Sequence, residues 1–237
     1  MILQTELAEG VLTWRLNRPE RLNAIDEPTA QALLDALRSA AASAEVRVIV
    51  LRGNGRAFCA GRDVGAAPTP EILALVQDVS RAIVGSTKPV VVAVHGWAVG
   101  AGVEWMLDAD IVIAARSARF KLPEIGLGVF VTGGITRTLA AYAGLARAKE
   151  LLLLGEEFSA TDAERWGLIA SVVEDDRLDA ETARVAARLA GFDPAVVGRF
   201  KRVLNAMNLE GFEEALLAEA RMQTKLEVRA GRNASRG

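Results

Sequence analysis

With 237 residues, 51% of them apolar, the chain has material for one large core or two small ones, and its formal net charge of −2 argues against non-specific nucleic-acid binding. A single cysteine excludes an internal disulfide and points to a reducing compartment, the cytoplasm. Met1–Glu6 does not read as a signal peptide, and the apolar run over 90–106 carries His95, Glu104 and three glycines, which excludes a membrane span.

Taken in order, Ile2–Leu7 and Val11–Asn17 read as two strands around the turn Ala8-Glu9-Gly10. A polar loop with Pro19 follows, then an amphipathic helix from Pro28 to about Ala44, on the spacing of Leu33, Leu34 and Leu37. Val46–Leu51 is a strand. The glycines behind it, Gly53 and Gly55, do not make a dinucleotide fingerprint, because the third glycine position holds Phe58. Phe58–Asp63 is a short extended piece leading into a Gly/Ala/Pro loop that ends at Pro70, and Glu71–Ser86 has helical spacing ending at Gly85.

The β-branched run Val90–Val94 predicts a strand covered on both faces. It empties through Gly96 into a small-residue turn and a helix starting near Gly100 or Ala101. Asp110–Ala115 and Arg119–Leu122 are further strands, and Gly126–Gly134 opens a helix through Tyr142. Short helices over 146–154 and 161–167 and a strand at Ser171–Val173 follow. From Leu178 the pattern is helical with breaks near Gly191 and Gly211, and the tail 231–237 reads as frayed. The sum is one α/β unit with a helical appendage, a core over 1–190 and a C-terminal region over 191–237.

Three features converge on one chemistry. The turns around Gly61-Arg62 and Gly100-Ala101 each offer a backbone N–H to an oxygen, and such preorganised donors are worth roughly 3–4 kcal/mol each at a developing oxyanion. Glu104, one turn inside its helix, and Glu124 supply two carboxyls whose burial and mutual repulsion hold one protonated near neutrality. Together they suit enolate chemistry: polarise a carbonyl, then move protons at its neighbouring carbons.

The residues also resemble a known family. Leu16-Asn17-Arg18-Pro19 with Leu22-Asn23-Ala24, Ala57–Asp63, Lys88-Pro89 with Gly96–Glu104, Asp108–Ile111, Pro123–Gly128 and Ala148–Leu151 occur in the order and at the intervals of the crotonase superfamily, the enoyl-CoA hydratases and isomerases. That resemblance covers nearly the whole chain. It implies a spiral of ββα units with a C-terminal helical trimerisation region, hence a homotrimer or dimer of trimers. It implies an acyl-CoA substrate with no cofactor beyond the coenzyme A it carries. The thioester carbonyl sits between the N–H groups of Arg62 and Ala101, Glu104 activates a water, and Glu124 supplies the α proton. Arg21 and Arg56 fall where cations meet CoA phosphates and Ala24 where adenine is lined, with Ala60, Gly61, Asp63 and Gly100 around the thioester.

The chain departs from the family pattern at four places. Arg62 replaces a small residue, Ala101 replaces a glycine and requires a negative φ, Val129–Gly134 replaces a Pro-Gly-Ala-Gly-Gly run, and the last helix reads as shortened after Val228. Two alternatives to a hydratase stand beside it: a double-bond isomerase using Glu124 alone, and a non-catalytic CoA-binding or scaffold subunit. Structural readings cover the rest. His95 is a hydrogen-bonded structural group, Cys59 a buried filler, Asp63 a local cap, and one Cys with one His makes no zinc site.

Overall fold

The computed structural model describes residues 1–63, 65 and 69–234, the stretch 227–234 by its backbone alone. Most of the loop read between Asp63 and Pro70 and the last three residues of the tail lie outside the described residues. Strands β1 (Leu3–Ala8), β2 (Val11–Leu16), β3 (Val48–Gly53), β4 (Val90–Val94), β6 (Ile111–Ala115) and β9 (Ser171–Val173) form one sheet in the order β1-β2-β3-β4-β6-β9. The β1–β2 hairpin is antiparallel and every later pairing is parallel. A smaller sheet joins β5 (Trp97–Val99), β7 (Arg119–Lys121) and β8 (Glu157–Ser159).

Alternation along β4 shows why its sequence is apolar at every position. Val90, Val92 and Val94 enter the main core with Ile49, Leu51 and the helix residues Leu33, Val76 and Val79. Val91 and Ala93 enter a second core with Val48, Val50 and Ile113, beneath Leu178, Ala186 and Ala190 of helix α7 (Leu178–Ala190). A strand buried on both faces has no position at which a polar side chain meets water.

The helices are placed by local signals. Asp26 caps α1 (Glu27–Ala42), accepting the Thr29 N–H at 2.9 Å, and Thr69 caps α2 (Pro70–Gly85). Helix α3 (Ala101–Leu107) follows β5, and the one-turn α4 (Glu124–Leu127) follows β7. Helix α5 (Ile135–Leu154) is kinked at Gly144, and α6 (Ala160–Arg165) starts on a reciprocal Ser159–Asp162 box. Helix α8 (Pro194–Asn208) leads to α9 (Phe212–Ala234), which packs back on α5.

The expected ββα repeat is present: β4-β5-α3 and β6-β7-α4 each step from the large sheet to the small one and then into a helix. The structure corrects the sequence reading at several points. β5 and β8 are strands of three residues, where the turn and loop readings saw none, and α4 is a helix of its own. Residues 231–234 continue α9 rather than fray.

Candidate active site

The site is framed by backbone pairing. Cys59 bridges Ala98: the Val99 N–H donates to the Cys59 carbonyl at 2.9 Å and the Cys59 N–H to Trp97 at 3.1 Å. Three residues on, Ile25 donates to the Gly61 carbonyl and accepts from the Asp63 N–H, both at 2.8 Å. That pattern turns the Arg62 peptide N–H away from Ile25. Gly61 has φ +80°, and a Cβ there would stand 2.5 Å from the Val99 carbonyl oxygen and 3.5 Å from the Ala101 nitrogen. Only glycine lets the two turns lie side by side.

On the other side, Gly100 (φ +51°) donates to Lys121 at 2.9 Å and its carbonyl accepts the Glu104 N–H, which starts α3. Ala101 is the first helical residue, so its N–H has no acceptor one turn earlier within the helix. Its φ is not positive, which meets the condition an alanine imposes there.

Glu124 opens α4, and its Oε1 lies against the α-carbon of Gly100, where a Cβ would be 2.6 Å away. Its Oε2 is buried with no hydrogen-bond partner among the described residues. Burial raises its pKa to about 7, against the opposing pull of its own backbone N–H and the Arg62 charge. Glu104 is 1% exposed, and Thr132 holds both its oxygens: the N–H donates to Oε1 at 3.0 Å and the hydroxyl to Oε2 at 3.2 Å. Burial first, then the charges of Glu124, Glu219 and Asp108, push its pKa well above the usual carboxylate value, while the Thr132 N–H works the other way. Burial thus favours a proton on Glu104, yet both Thr132 donors are satisfied best by a carboxylate.

The remaining predicted residues fall into two groups. Arg21, Arg62 and Asp63 line one cleft of about 350 Å³ with Ile25, Asp26, Thr69 and Ile72. Arg56 is exposed on the turn after β3 and does not line that cleft. Ala24 is buried beneath Arg18, which donates to its carbonyl, and Ala60 is tied to the Leu22 carbonyl at 3.0 Å. Asp63 accepts the Gly65 N–H at 3.0 Å, and that bond, aided by Arg18, holds its carboxyl below the usual range, as the local-cap reading expects.

His95 makes its expected structural bond, Nε2 to the Gly55 carbonyl at 2.9 Å. Cys59 is fully buried, which pushes its thiol up to about 12. Sequence reasoning quoted Arg18 but gave it no role; it joins Asp26, Asp63 and Ala24. It missed Thr132 and Glu219 altogether, and only a polar residue beside the Gly133-Gly134 pair hinted at the first. Among the described residues no group of three His, Cys, Asp or Glu is disposed to hold a metal, and no helix is long and apolar enough to cross a membrane.

A largely parallel sheet thus steps into a second small sheet, and two turns abut at Gly61 and Gly100 beside the buried Glu104 and the half-buried Glu124. The family model for enoyl-CoA hydratase/isomerase matches residues 6–236, and the chain belongs to that family, within the crotonase superfamily. It is 38% identical over 213 residues to a 1,2-epoxyphenylacetyl-CoA isomerase of Escherichia coli, covering 85% of this chain and 81% of that one. It is 33% identical over 227 residues to a crotonyl-CoA hydratase of Syntrophomonas wolfei, covering 93% and 86%. A crystal structure of an enoyl-CoA hydratase from Mycobacterium avium subsp. paratuberculosis superposes with a TM-score of 0.92 at 34% identity, covering 95% of this chain and 93% of that one.

Proposed function

We propose that this chain is an enoyl-CoA hydratase, adding water across the 2,3 double bond of an enoyl-CoA thioester. The observation that carries the reading is the pair of buried carboxyls at the start of α3, Glu124 against Gly100 and Glu104 one turn inside, each with raised proton affinity. The thioester oxygen takes the N–H groups of Arg62 and Ala101, which stabilise it as charge develops. Glu104, as the carboxylate Thr132 favours, takes a proton from water as the hydroxyl bonds to C3. Glu124 gives its proton to C2. The pair then carries one proton as before, now on Glu104, and returns it to Glu124 through solvent. Arg21 and the exposed Arg56 serve as cations for the CoA phosphates. No permanently bound cofactor enters.

Crotonyl-CoA and longer enoyl-CoAs, followed by loss of the conjugated thioester absorbance, test this. Glu124→Gln and Glu104→Gln each lower kcat by about 10³ or more, since general acid–base groups contribute roughly 10²–10⁴. Normal turnover in Glu124→Gln removes the proposal.

A double-bond isomerase is the second reading, favoured because both oxygens of Glu104 are occupied by Thr132 whereas Glu124 Oε2 has no partner. That reading requires Glu104→Gln to keep most of its activity while Glu124→Gln loses it.

Assembly as a homotrimer or dimer of trimers completes the proposal. Helix α8 presents Val196, Phe200, Val203, Leu204 and Met207 along one exposed face, with Phe200 67% and Met207 74% accessible in the single chain. A helix buries such a stripe. Sedimentation of Phe200→Asp is expected to give monomers where the wild type gives trimers or hexamers.

A further inference from the structure

The segment between α4 and α5, residues 129–134, forms no strand or helix, and several of its backbone groups are met by side chains instead. The Phe130 N–H donates to Gln223 Oε1 at 2.6 Å. The Thr132 carbonyl accepts from Gln77 Nε2 at 3.0 Å, and the same amide donates to the Leu216 carbonyl at 2.8 Å. The Gly134 N–H donates to Glu219 Oε2 at 2.7 Å, while Glu219 Oε1 accepts the Thr136 N–H and hydroxyl at 2.9 and 2.6 Å. The Thr132 N–H goes to Glu104. Gln77, Glu219 and Gln223 are all buried. A buried amide or carboxylate is retained where its partners are fixed, since leaving any of them unpaired carries the full desolvation penalty.

The pattern is more than a fastening of a loop. Thr132 is held at both ends of its own residue, its carbonyl by Gln77 of α2 and its N–H and hydroxyl by Glu104 of α3. Gln77 in turn bridges to Leu216 of α9, and α9 supplies Glu219 and Gln223 to the residues on either side. The orientation of Glu104 is therefore set by an element that joins the chain more than 80 positions after the loop it holds.

We infer that Gln77, Glu219 and Gln223 are positioning residues for Glu104, acting through Thr132, and that α9 is part of the reacting centre rather than a cover on it. The inference rests on the hydratase reading for its kinetic test but not for its spectroscopic one. The charged or titratable groups around Glu104 are Glu124 on α4, Asp108 on α3 and Glu219 on α9, with Lys201 of α8 acting on Asp108. None of these is altered in Gln77→Met, which matches the glutamine in length and removes only the amide.

In the full chain, Gln77→Met is expected to lower kcat at least tenfold with KM for crotonyl-CoA changed less than twofold. Freed from the Thr132 N–H, the Glu104 carboxylate loses a donor that favours its charged form. The acid limb of kcat/KM therefore moves to higher pH. Gln223→Met, which removes one anchor only, moves both in the same direction by less and serves if Gln77→Met does not fold. Leu37→Ala, a buried change in α1 that removes none of these hydrogen bonds, controls for lost stability. The inference is overturned if Gln77→Met or Gln223→Met lowers Tm as Leu37→Ala does while kcat and the acid limb of the folded enzyme stay put. Should the wild type turn over no enoyl-CoA, the hydratase reading fails alone. Carbon-13 NMR titration of the Glu104 carboxyl, assigned with Glu104→Gln, then decides this one: an upward shift in Gln77→Met supports it, an unchanged titration refutes it.

Discussion

The two sides of this site are held by different means. Around Gly61 and Gly100 the turns are fixed by main-chain pairing, through Cys59 to Ala98, Ile25 to Gly61, and Gly100 to Lys121. Around Glu104 the segment 129–134 is fixed by Gln77, Glu219, Gln223 and Glu104 itself. The first arrangement depends on where the chain goes and little on side-chain identity, except at the glycines. The second depends on four particular side chains, so it tolerates changes of path but not of residue. A chain built this way keeps its two glycine turns rigid while the surroundings of Glu104 stay adjustable by substitution.

Breaking the main-chain side carries the largest expected effect. In Gly61→Ala the new methyl meets the Val99 carbonyl oxygen at 2.5 Å in a left-handed conformation, so the two turns must separate. We expect kcat to fall by about 10² or more, as for loss of an oxyanion donor, with a stability loss of roughly 1–3 kcal/mol read from chemical denaturation. Activity near wild type in a folded Gly61→Ala protein would show that the abutting turns do not set the donors.

On the side-chain half a gentler change is enough. Thr132→Val deletes the hydroxyl bond to Glu104 Oε2 but keeps the N–H bond to Oε1. A several-fold fall in kcat with Tm within a few degrees of wild type is expected, with the acid limb of kcat/KM moved to higher pH.

The smallest effect concerns stability and pH. Glu124 holds its proton in the fold up to about pH 7, whereas the free side chain releases it near 4.5. Between those values the folded protein binds more protons than the unfolded one, so this group's contribution is full below pH 4.5 and is lost as pH rises through 7. Glu124→Gln should flatten that decline, by about 2 kcal/mol between pH 5 and 7. An equal slope in both proteins from denaturant titrations at pH 5, 6 and 7 would show that Glu124 is solvated like any surface carboxylate.

The same contrast explains what could be read before the fold was known. Val90–Val94 reads as a doubly covered strand because every position is apolar, and its even and odd positions indeed enter separate cores. The Gly100–Glu104 run announces a helix start with a carboxyl one turn in, and Glu124, 20 residues further on, was read as its partner before the resemblance gave each a role. Trp97-Ala98-Val99 was illegible as a strand, since three residues have no period and their partners lie at Cys59 and at 119–121. Thr132 and its anchors were illegible for a related reason. Nothing local marks Gln77 or Glu219, and their meaning arises only when α9 folds back on α5. Arg62 shows the limit from another side: its place in the chain is legible, but its charge acting on Glu124 emerges only in three dimensions.

Cys59 sits on the strand-like segment that frames the main-chain side, wholly enclosed and with its thiolate disfavoured until about pH 12. A thiol-directed reagent therefore has no nucleophile to find while that frame is intact. Its rate of labelling becomes a stopwatch for the opening of the two abutting turns, one that needs no substrate and reads a thiol already built into the chain.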